Sequence, residues 1–396
     1  MPQSFKIMIV VTLALFTDGL FYGLLIPLLP FSPAQLSADW MYEILSASYA
    51  LGVIMFTFLI GFLSDRFGRR VPMLLSVIIQ FVALGIFAFS HHFVYLVIAK
   101  FAQGIAASTT WTSGLAFITD HFSMKRAQML GYALLGNTIG LLIGPLLGGF
   151  FFEKFNYQFP FLILAGFMVC DLFCRFHWIK NTQIKETIPI KEIISLSKDK
   201  TILLSSAVIG MVAWCWCVLE PLYPIFLKNT ASANPTQIGA LFSISCLIYG
   251  ISCPFIGAIT DKFHPIKVMF VGLFLLALSI PILCLSKNLL NAGIALSFAN
   301  IAYGFALNPT LSELSSVADR RNTGAYAVTY AIYNIAYSFG MFGSNLTNGL
   351  LAHYFSIPTT FFFVGGFIIF CLLMYLIWLN KPKILEFYVR RGASSN

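Results

Sequence analysis

Charged residues are scarce in this 396-residue chain: Asp, Glu, Lys and Arg make up only 10% of it, whereas hydrophobic residues make up 59%. A soluble domain contains about 25% charged and about 45–50% apolar residues. This shortage of charge excludes a soluble enzyme and a disordered chain. So much apolar surface has to be covered by lipid, and the composition therefore predicts a polytopic membrane protein.

Cysteine and histidine are also few, with eight and six copies. The cysteines fall inside apolar segments, where they act as small buried side chains, and the histidines fall in loops or near the ends of such segments. We therefore expect no disulfide framework, no metal and no cofactor. A membrane-embedded enzyme would need its nucleophile and base, or its metal ligands, at one depth, and the sequence does not cluster them in this way.

Apolar segments of about 20 residues, long enough to cross a bilayer, occur repeatedly along the chain. The sequence predicts an all-α membrane protein with twelve transmembrane helices. The first segment contains an aspartate and lacks a small-residue cleavage site, so we expect it to be retained. The predicted helices cover approximately residues 5–30, 40–64, 70–90, 93–118, 127–152, 158–180, 200–227, 235–260, 265–286, 288–316, 322–354 and 357–380.

Basic residues are distributed very unevenly between the two sides of the predicted membrane domain. If both termini are cytoplasmic, nearly all of the 24 Lys and Arg residues lie on the cytoplasmic side, and the other side holds Lys154, Lys228 and Lys287. This asymmetry predicts cytoplasmic N- and C-termini. The net charge of +9 then reflects membrane orientation, and we expect no nucleic-acid partner.

The two halves of the chain resemble each other. The segment Gly61–Phe67 after the second predicted helix recurs as Gly257–Phe263 after the eighth, and the Pro-x-x-Pro of the first helix recurs in the seventh. Two parallel six-helix repeats are typical of one class of secondary transporter. We predict an N-terminal half, a cytoplasmic linker and a C-terminal half with a short cytoplasmic tail, at residues 1–180, 181–199 and 200–396.

The loop after the second predicted helix carries the strongest motif. Gly61-Phe-Leu-Ser-Asp65-Arg66-Phe-Gly-Arg69-Arg70 resembles the signature of the loop between helices 2 and 3 in the major facilitator superfamily. Gly61 permits close helix packing, and the arginines can donate to carboxylates across the two halves. We predict a gating latch on the cytoplasmic side, with Asp261 as its second-half counterpart. The alternative is a basic loop that only sets orientation.

A glycine-rich motif lies in the fifth predicted helix. Gly140, Gly144, Pro145, Gly148 and Gly149 resemble the G-x-x-x-G-P-x-x-G-G motif of the drug–proton antiporters of that superfamily. Small residues one turn apart let helix backbones approach closely. The resemblance implies an exporter rather than an importer.

Ionisable residues inside membrane helices are functional candidates. Asp18 and Glu220 lie deep in the first and seventh predicted helices, which correspond in the two halves, and we predict that they handle protons or a cation. Asp171 has Arg175 one turn later, which favours a structural ion pair. Glu313 is a further candidate for coupling, although a position at the membrane interface is the alternative.

Lys100 lies in the fourth predicted helix, within a segment that is similar to the family motif L-x-x-x-R-x-x-Q-G and has lysine in place of arginine. A lysine can lose its proton when it is desolvated, whereas an arginine hardly can. We therefore predict a role in coupling. The alternative is that its ammonium extends to the membrane surface.

Aromatic and amide side chains recur at helical spacing in the eleventh predicted helix, where tyrosines are separated by three or four residues and Asn334 lies beside them. This spacing places them on one helix face. We predict that they line a central cavity; the alternative is hydrogen bonding between helices. The predicted lining comprises Tyr22, Tyr49, Trp216, Tyr223, Tyr330 and Tyr337.

Several short segments look like the vesicular amine transporter branch, among them Leu219-Glu220-Pro221-Leu-Tyr-Pro224 and Val328-Thr-Tyr-Ala-Ile-Tyr-Asn334-Ile. The resemblance implies that Asp18 and Glu220 bind or couple a cationic substrate. Two positions depart from that branch. Its coupling aspartate in helix 11 corresponds to Asn334, which cannot titrate, and its helix 2 lysine corresponds to Tyr49.

Taken together, these features identify the chain as a member of the major facilitator superfamily. We expect proton-coupled export of a small organic solute, of the multidrug or amine type, by alternating access. The alternative is export or uptake of a polyhydroxylated metabolite such as a siderophore. The short first loop, about residues 31–40, suggests a prokaryotic protein, and we expect a monomer in the lipid bilayer of a bacterial inner membrane.

Overall fold

The structure is a computed structural model that describes residues 3–34, 36, 38–122, 126–179, 199–286, 288–320 and 326–379. Within these ranges the chain forms thirteen α-helices and no strand, which confirms the predicted all-α fold. The helices are α1 (Gln3–Leu28), α2 (Asp39–Phe67), α3 (Arg70–Phe89), α4 (Phe93–His121), α5 (Arg126–Lys154), α6 (Phe159–Trp178), α7 (Lys200–Trp216), α8 (Leu219–Ala231), α9 (Pro235–Lys262), α10 (Pro265–Leu283), α11 (Leu289–Arg320), α12 (Tyr326–Tyr354) and α13 (Ile357–Leu379).

Each of the twelve predicted membrane segments contains a helix. Among the described residues, eleven segments are long and apolar enough to cross a membrane, and α7 and α8 together form one of them, Lys200–Ala231. The helix α12 is not among the eleven, because its tyrosine, asparagine and serine residues lower its hydropathy. Such polar groups need partners inside a bilayer, and α12 indeed packs between α2 and α7.

The helix pairings of α1–α6 recur among α7–α13. The helix α1 packs on α5, α2 on α4 and α3 on α6, and the corresponding pairs are α7–α12, α9–α11 and α10–α13. These two groups of helices meet along two seams, α5 against α9 and α2 against α12. The division into halves at 181–199 stays a prediction, since residues 181–198 lie outside the described part of the chain.

The glycines of the fifth predicted helix explain how closely α5 approaches α1. A Cβ atom at Gly140 would lie 2.6 Å from the backbone nitrogen of Leu20, and one at Gly144 would lie 2.9 Å from that of Leu24. Gly148 faces the carbonyl of Leu24 at 2.7 Å in the same way. Any larger residue at these positions would push the two helices apart.

The α5–α9 seam is tight at one end of the bundle. Gly149 on α5 lies against the backbone of Pro235 on α9, and the backbone carbonyl of Pro145 lies against Gly239. The Nζ atom of Lys228 donates to the carbonyl of Pro30 at 2.5 Å. This end lies opposite the predicted cytoplasmic side, and we call it the closed end.

Candidate functional site

A cavity of about 430 Å³ lies between the two groups of helices. Its wall on α2 runs from Tyr49 to Thr57, and its wall on α12 runs from Met341 back to Tyr333. Both runs lead away from the closed end and toward the predicted cytoplasmic side. Of the predicted site residues, the cavity is lined by Asp18, Tyr22, Tyr49, Pro145, Trp216, Glu220, Asn334 and Tyr337.

Asp18 is held by two donors from neighbouring helices. Its Oδ1 accepts from Nε2 of Gln80 on α3 at 2.9 Å, and its Oδ2 accepts from Nε1 of Trp111 on α4 at 3.1 Å. The side chain is only 3% exposed. Sequence analysis did not identify Gln80 or Trp111, although a glutamine inside an apolar helix is a signal for a buried polar partner.

The predicted ion pair between Asp171 and Arg175 is confirmed. Nη2 and Nε of Arg175 donate to the two carboxylate oxygens at 2.6 and 2.9 Å, and both side chains are fully buried. Nη1 of Arg175 also donates to the carbonyl of Met73 and to Oγ of Ser76 on α3. Thr17 on α1 donates to Asp171 at 3.1 Å. This network fixes α1 against α3 and α6 beside Asp18.

Glu220 meets Tyr22 where α8 approaches α1. The hydroxyl of Tyr22 donates to Oε2 of Glu220, so this hydrogen bond joins the two groups of helices. Glu220 also lines the cavity, which leaves its carboxylate accessible to a solute. Asp18 and Glu220 were predicted to act together because they lie in corresponding helices of the two halves, and both acids line the same cavity.

Lys100 lies behind the aromatic wall. Its ammonium lies 4.8 Å from the centroid of the Tyr22 ring and 5.3 Å from that of Tyr49, in cation–π geometry. The side chain is 4% exposed, which rules out the alternative in which it extends to the membrane surface. The carboxylates of Glu220 and Asp18 attract its charge, and Glu220 attracts it more strongly. Lys100 is not itself among the residues that line the cavity.

Neutral polar and aromatic groups form the opposite wall. The Trp216 and Tyr303 rings lie 4.6 Å apart between centroids, and the hydroxyl of Tyr303 donates to that of Tyr337 at 3.3 Å. Tyr249 donates to Oδ1 of Asn308 at 3.0 Å. The cavity thus has acids near α1 and α8 and a wall of hydroxyl groups and rings on α9, α11 and α12.

Two predicted site residues are placed elsewhere. Tyr223 is fully buried against Phe226, Phe242 and Phe361 and does not line the cavity. Helix α8 runs from the cavity at Glu220 toward the closed end at Lys228, and Tyr223 lies about one turn beyond Glu220, in the packed part of the bundle. Glu313 is partly exposed near the end of α11 and does not line the cavity either, which favours the interfacial alternative.

The latch residues lie at the end of α2. Nε of Arg69 pairs with Asp120 on α4 at 3.0 Å, and its Nη1 donates to Ser64. These contacts lie within α1–α6, and Asp261 on α9 is exposed. Gly61 lies 3.8 Å from Thr112, measured from its added Cβ. The gating role of this loop stays a prediction.

Two other residues of the prediction cannot be placed by their side chains. The side chains of Asp65 and Tyr330 lie outside the described part of the structure. The guanidinium of Arg66 lies over the ring of Phe67 at 5.6 Å.

Glu43 is a residue that sequence analysis missed. It lies on α2 near the closed end, its exposed fraction is 0%, and neither carboxylate oxygen has a hydrogen-bond partner among the described residues. Glu43 lies inside the predicted helix 40–64, and an acid within an apolar segment is the signal that could have identified it.

Two curated relatives of this chain are named as amine transporters. The synaptic vesicular amine transporter of Bos taurus is 26% identical over 313 residues, which cover 77% of this chain and 60% of that protein. The chromaffin granule amine transporter of Rattus norvegicus is 28% identical over 331 residues, which cover 81% and 62%. The chain therefore spans less than two thirds of the length of these two relatives.

Solved structures share the fold at low identity. The crystal structure of the nucleoside transporter NupG has a TM-score of 0.75 with 11% identity, over 96% of this chain and 100% of that chain. The human organic anion transporter MFSD10 has a TM-score of 0.69 with 16% identity, over 94% and 99%. A family model described as Major Facilitator Superfamily matches residues 11–341 and, in a second match, residues 203–393. Because these matches cover most of the sequence, the chain belongs to the Major Facilitator Superfamily, a family of multi-pass membrane transporters.

Proposed function

We propose that the protein exports a small organic cation in exchange for protons, by alternating access. The observation that carries the proposal is the pair of acids, Asp18 and Glu220, at one aromatic cavity. Carboxylates attract an ammonium group, and aromatic faces stabilise it further by about 0.5–2 kcal/mol. The names of the two amine transporters among the relatives support the same substrate class.

The two acids differ in what they can do. Both oxygens of Asp18 already accept hydrogen bonds from neutral donors, so Asp18 is positioned as a fixed acceptor. Glu220 accepts from the hydroxyl of Tyr22 and interacts with Trp216. Its bond to Tyr22 joins the two groups of helices, so it would change when they move relative to each other, whereas the donors to Asp18 lie on α3 and α4 of the same group. We therefore assign the exchange of a proton for the substrate cation to Glu220, with Asp18 as the second attractive charge.

The shape of the cavity supports the direction of transport. The closed end is sealed by α5–α9 and α2–α12 contacts, while the cavity extends toward the predicted cytoplasmic side. In an exporter this is the state that loads substrate. Protons then enter from the opposite side when the closed end opens, and their binding to Glu220 displaces the cation.

A polyhydroxylated metabolite is the second candidate. The wall formed by Tyr303, Asn334 and Tyr337 offers hydroxyl and amide groups that could bind several substrate hydroxyls. Such a substrate would not need the charge of Glu220. The two candidates therefore differ in whether neutralising that carboxylate abolishes recognition.

The test is transport by the full-length protein in proteoliposomes with an imposed pH gradient. The solutes are a primary monoamine, a quaternary ammonium compound and a neutral siderophore. We expect gradient-driven movement of the two cations and its loss in Glu220→Gln. Glu153→Gln is a matched control, because Glu153 is an exposed acid outside the cavity. Uphill cation transport by Glu220→Gln, or transport of the siderophore alone, would contradict the proposal.

A further inference from the structure

Glu43 occupies an unusual position at the seam between α2 and α12. A Cβ atom added to Gly349 on α12 would lie 3.1 Å from Cβ of Glu43, so the two helices pack directly on each other here. The carboxyl group is fully buried, and both of its oxygens lack a hydrogen-bond partner among the described residues. The mechanism proposed above does not use this residue.

The surroundings of Glu43 provide no compensating charge. Among the described side chains, no Lys, Arg or His nitrogen lies within 4.0 Å of the carboxylate oxygens of Glu43, the distance that defines an ion pair. On its own helix the nearest acid is Asp39. The described titratable groups on the helices packed against α2 are Arg70 on α3; Tyr95, Lys100, Asp120 and His121 on α4; Glu220, Tyr223 and Lys228 on α8; and Tyr333, Tyr337, His353 and Tyr354 on α12, with Cys217 between α7 and α8. Lys228 donates to the carbonyl of Pro30 and lies over the ring of Phe31. Arg70, Asp120 and His121 lie toward the opposite end of the bundle.

These groups are engaged or remote from the carboxyl. Lys100 lies over the rings of Tyr22 and Tyr49, and Glu220 accepts from Tyr22. His353 and Tyr95 are exposed. Cys217 is close enough to interact with the charge of Glu43, but a thiol is a neutral group that supplies no positive charge.

An ionised carboxylate without a partner is very unfavourable in a buried apolar site, whereas the neutral acid is tolerated. We infer that Glu43 is a proton-binding residue of the closed end, protonated while α2 and α12 are packed together and ionised when they separate. Asn345, one turn before Gly349 on α12, is a second polar side chain buried at this seam: it is 2% exposed, and its amide has no hydrogen-bond partner among the described residues. Separation of α2 and α12 would let water reach both groups.

The inference rests on the alternating-access cycle proposed above and adds a proton to one step of it. When the closed end forms, the carboxylate of Glu43 takes a proton from hydronium on that side, leaving water and a neutral acid. When the end opens, the proton returns to water on the same side. Glu43 does not line the cavity, whose walls on α2 and α12 end at Tyr49 and Met341, where Ala50, Cys217 and Met341 form a buried cluster. Glu43 therefore carries no proton across; it makes acid on that side favour closure.

The experiment measures opening without any substrate, so its outcome is independent of the amine proposal. The full-length protein in lipid nanodiscs is followed by hydrogen–deuterium exchange of segments 39–50 and 341–354 over a pH series. After correction for the intrinsic exchange rate, protection reports the ratio of open to closed states. For one proton per closure, this ratio rises by at most about tenfold per pH unit.

We expect the open-to-closed ratio of the wild type to approach this tenfold rise per pH unit once the pH exceeds the midpoint of Glu43 ionisation in the open state. In Glu43→Gln and Glu43→Ala, which cannot ionise at this position, the open-to-closed ratio should change less than twofold across the pH series. Glu43→Asp should retain the slope of the wild type. Glu153→Gln, at the same end, keeps the acceptor for Asn234 and should behave as the wild type. A flat wild-type profile, or a wild-type slope in Glu43→Gln, overturns the inference; if Glu43→Gln does not fold, Glu43→Ala decides.

Discussion

Replacing Lys100 by methionine removes a positive charge from behind the cavity wall and keeps most of the side-chain volume. The ammonium lies 4.8 Å from the Tyr22 centroid. A substrate ammonium on the cavity face of that ring would lie within about 5 Å of the same centroid. The two cations would then be ~9.5 Å apart.

At an effective dielectric constant of about 20, two like charges at that separation repel each other by about 1.8 kcal/mol. Removing this repulsion corresponds to roughly 20-fold tighter binding of a cation. We therefore expect Lys100→Met to bind a quaternary ammonium compound about 20-fold more tightly than the wild type at pH 7. The loss of Lys100 also removes one group that can release a proton when the cation binds.

Isothermal titration calorimetry of the purified protein in two buffers that differ in ionisation enthalpy yields both quantities, the affinity and the number of protons released. A quaternary ammonium ligand is suitable because it has no proton of its own to lose. Lys154→Met is the matched control: Lys154 also lies over two rings, Phe150 and Phe155, but is exposed and outside the cavity. Equal or weaker binding by Lys100→Met, with unchanged proton release, would refute the reasoning.

Three further substitutions test the surrounding structure. Gly140→Ala should lower the unfolding temperature by separating α5 from α1, whereas Gly131→Ala, where an added Cβ meets nothing within 4 Å, should not; equal melting curves would contradict this packing argument. Asp171→Asn should destabilise the protein by about 3–5 kcal/mol because it leaves Arg175 buried without its partner, and a thermal unfolding assay with less than a 1 °C shift would show the pair to be dispensable. Asn334→Asp should make transport in proteoliposomes depend more steeply on the pH gradient; a less stable protein with unchanged dependence would count against a coupling role at this position.

Much of the fold could be predicted from the sequence because apolar run length is a strong signal. The predicted segment 127–152 corresponds to α5 at Arg126–Lys154, and 235–260 corresponds to α9 at Pro235–Lys262. The ion pair of Asp171 and Arg175 was also predictable, since residues four apart share a helix face. Local spacing was sufficient in each of these cases.

Features that depend on tertiary packing could not be predicted in this way. Helical spacing correctly grouped Trp216 with Glu220, but it could not show that the cavity ends before Tyr223, which is buried in the packed part of the bundle. The burial of Lys100 depends on two tyrosines from α1 and α2 that are distant in sequence. Glu43 became informative only when α12 was seen to cover it.

We expect the hydrogen bond between Tyr22 and Glu220 to connect ligand binding to gating. It joins α1 to α8 across the two groups of helices, and Tyr22 and Tyr49 also pack on the cluster of Ala50, Cys217 and Met341. A cation or a proton at Glu220 changes the strength of that hydrogen bond, because a charged acceptor binds a hydroxyl more strongly than a neutral one. An equilibrium between two states shifts only when a ligand stabilises one of them more than the other. We expect the Tyr22–Glu220 bond to meet this condition, because separating α1 from α8 would break it; the charge state of the cavity would then act on the opening of the closed end.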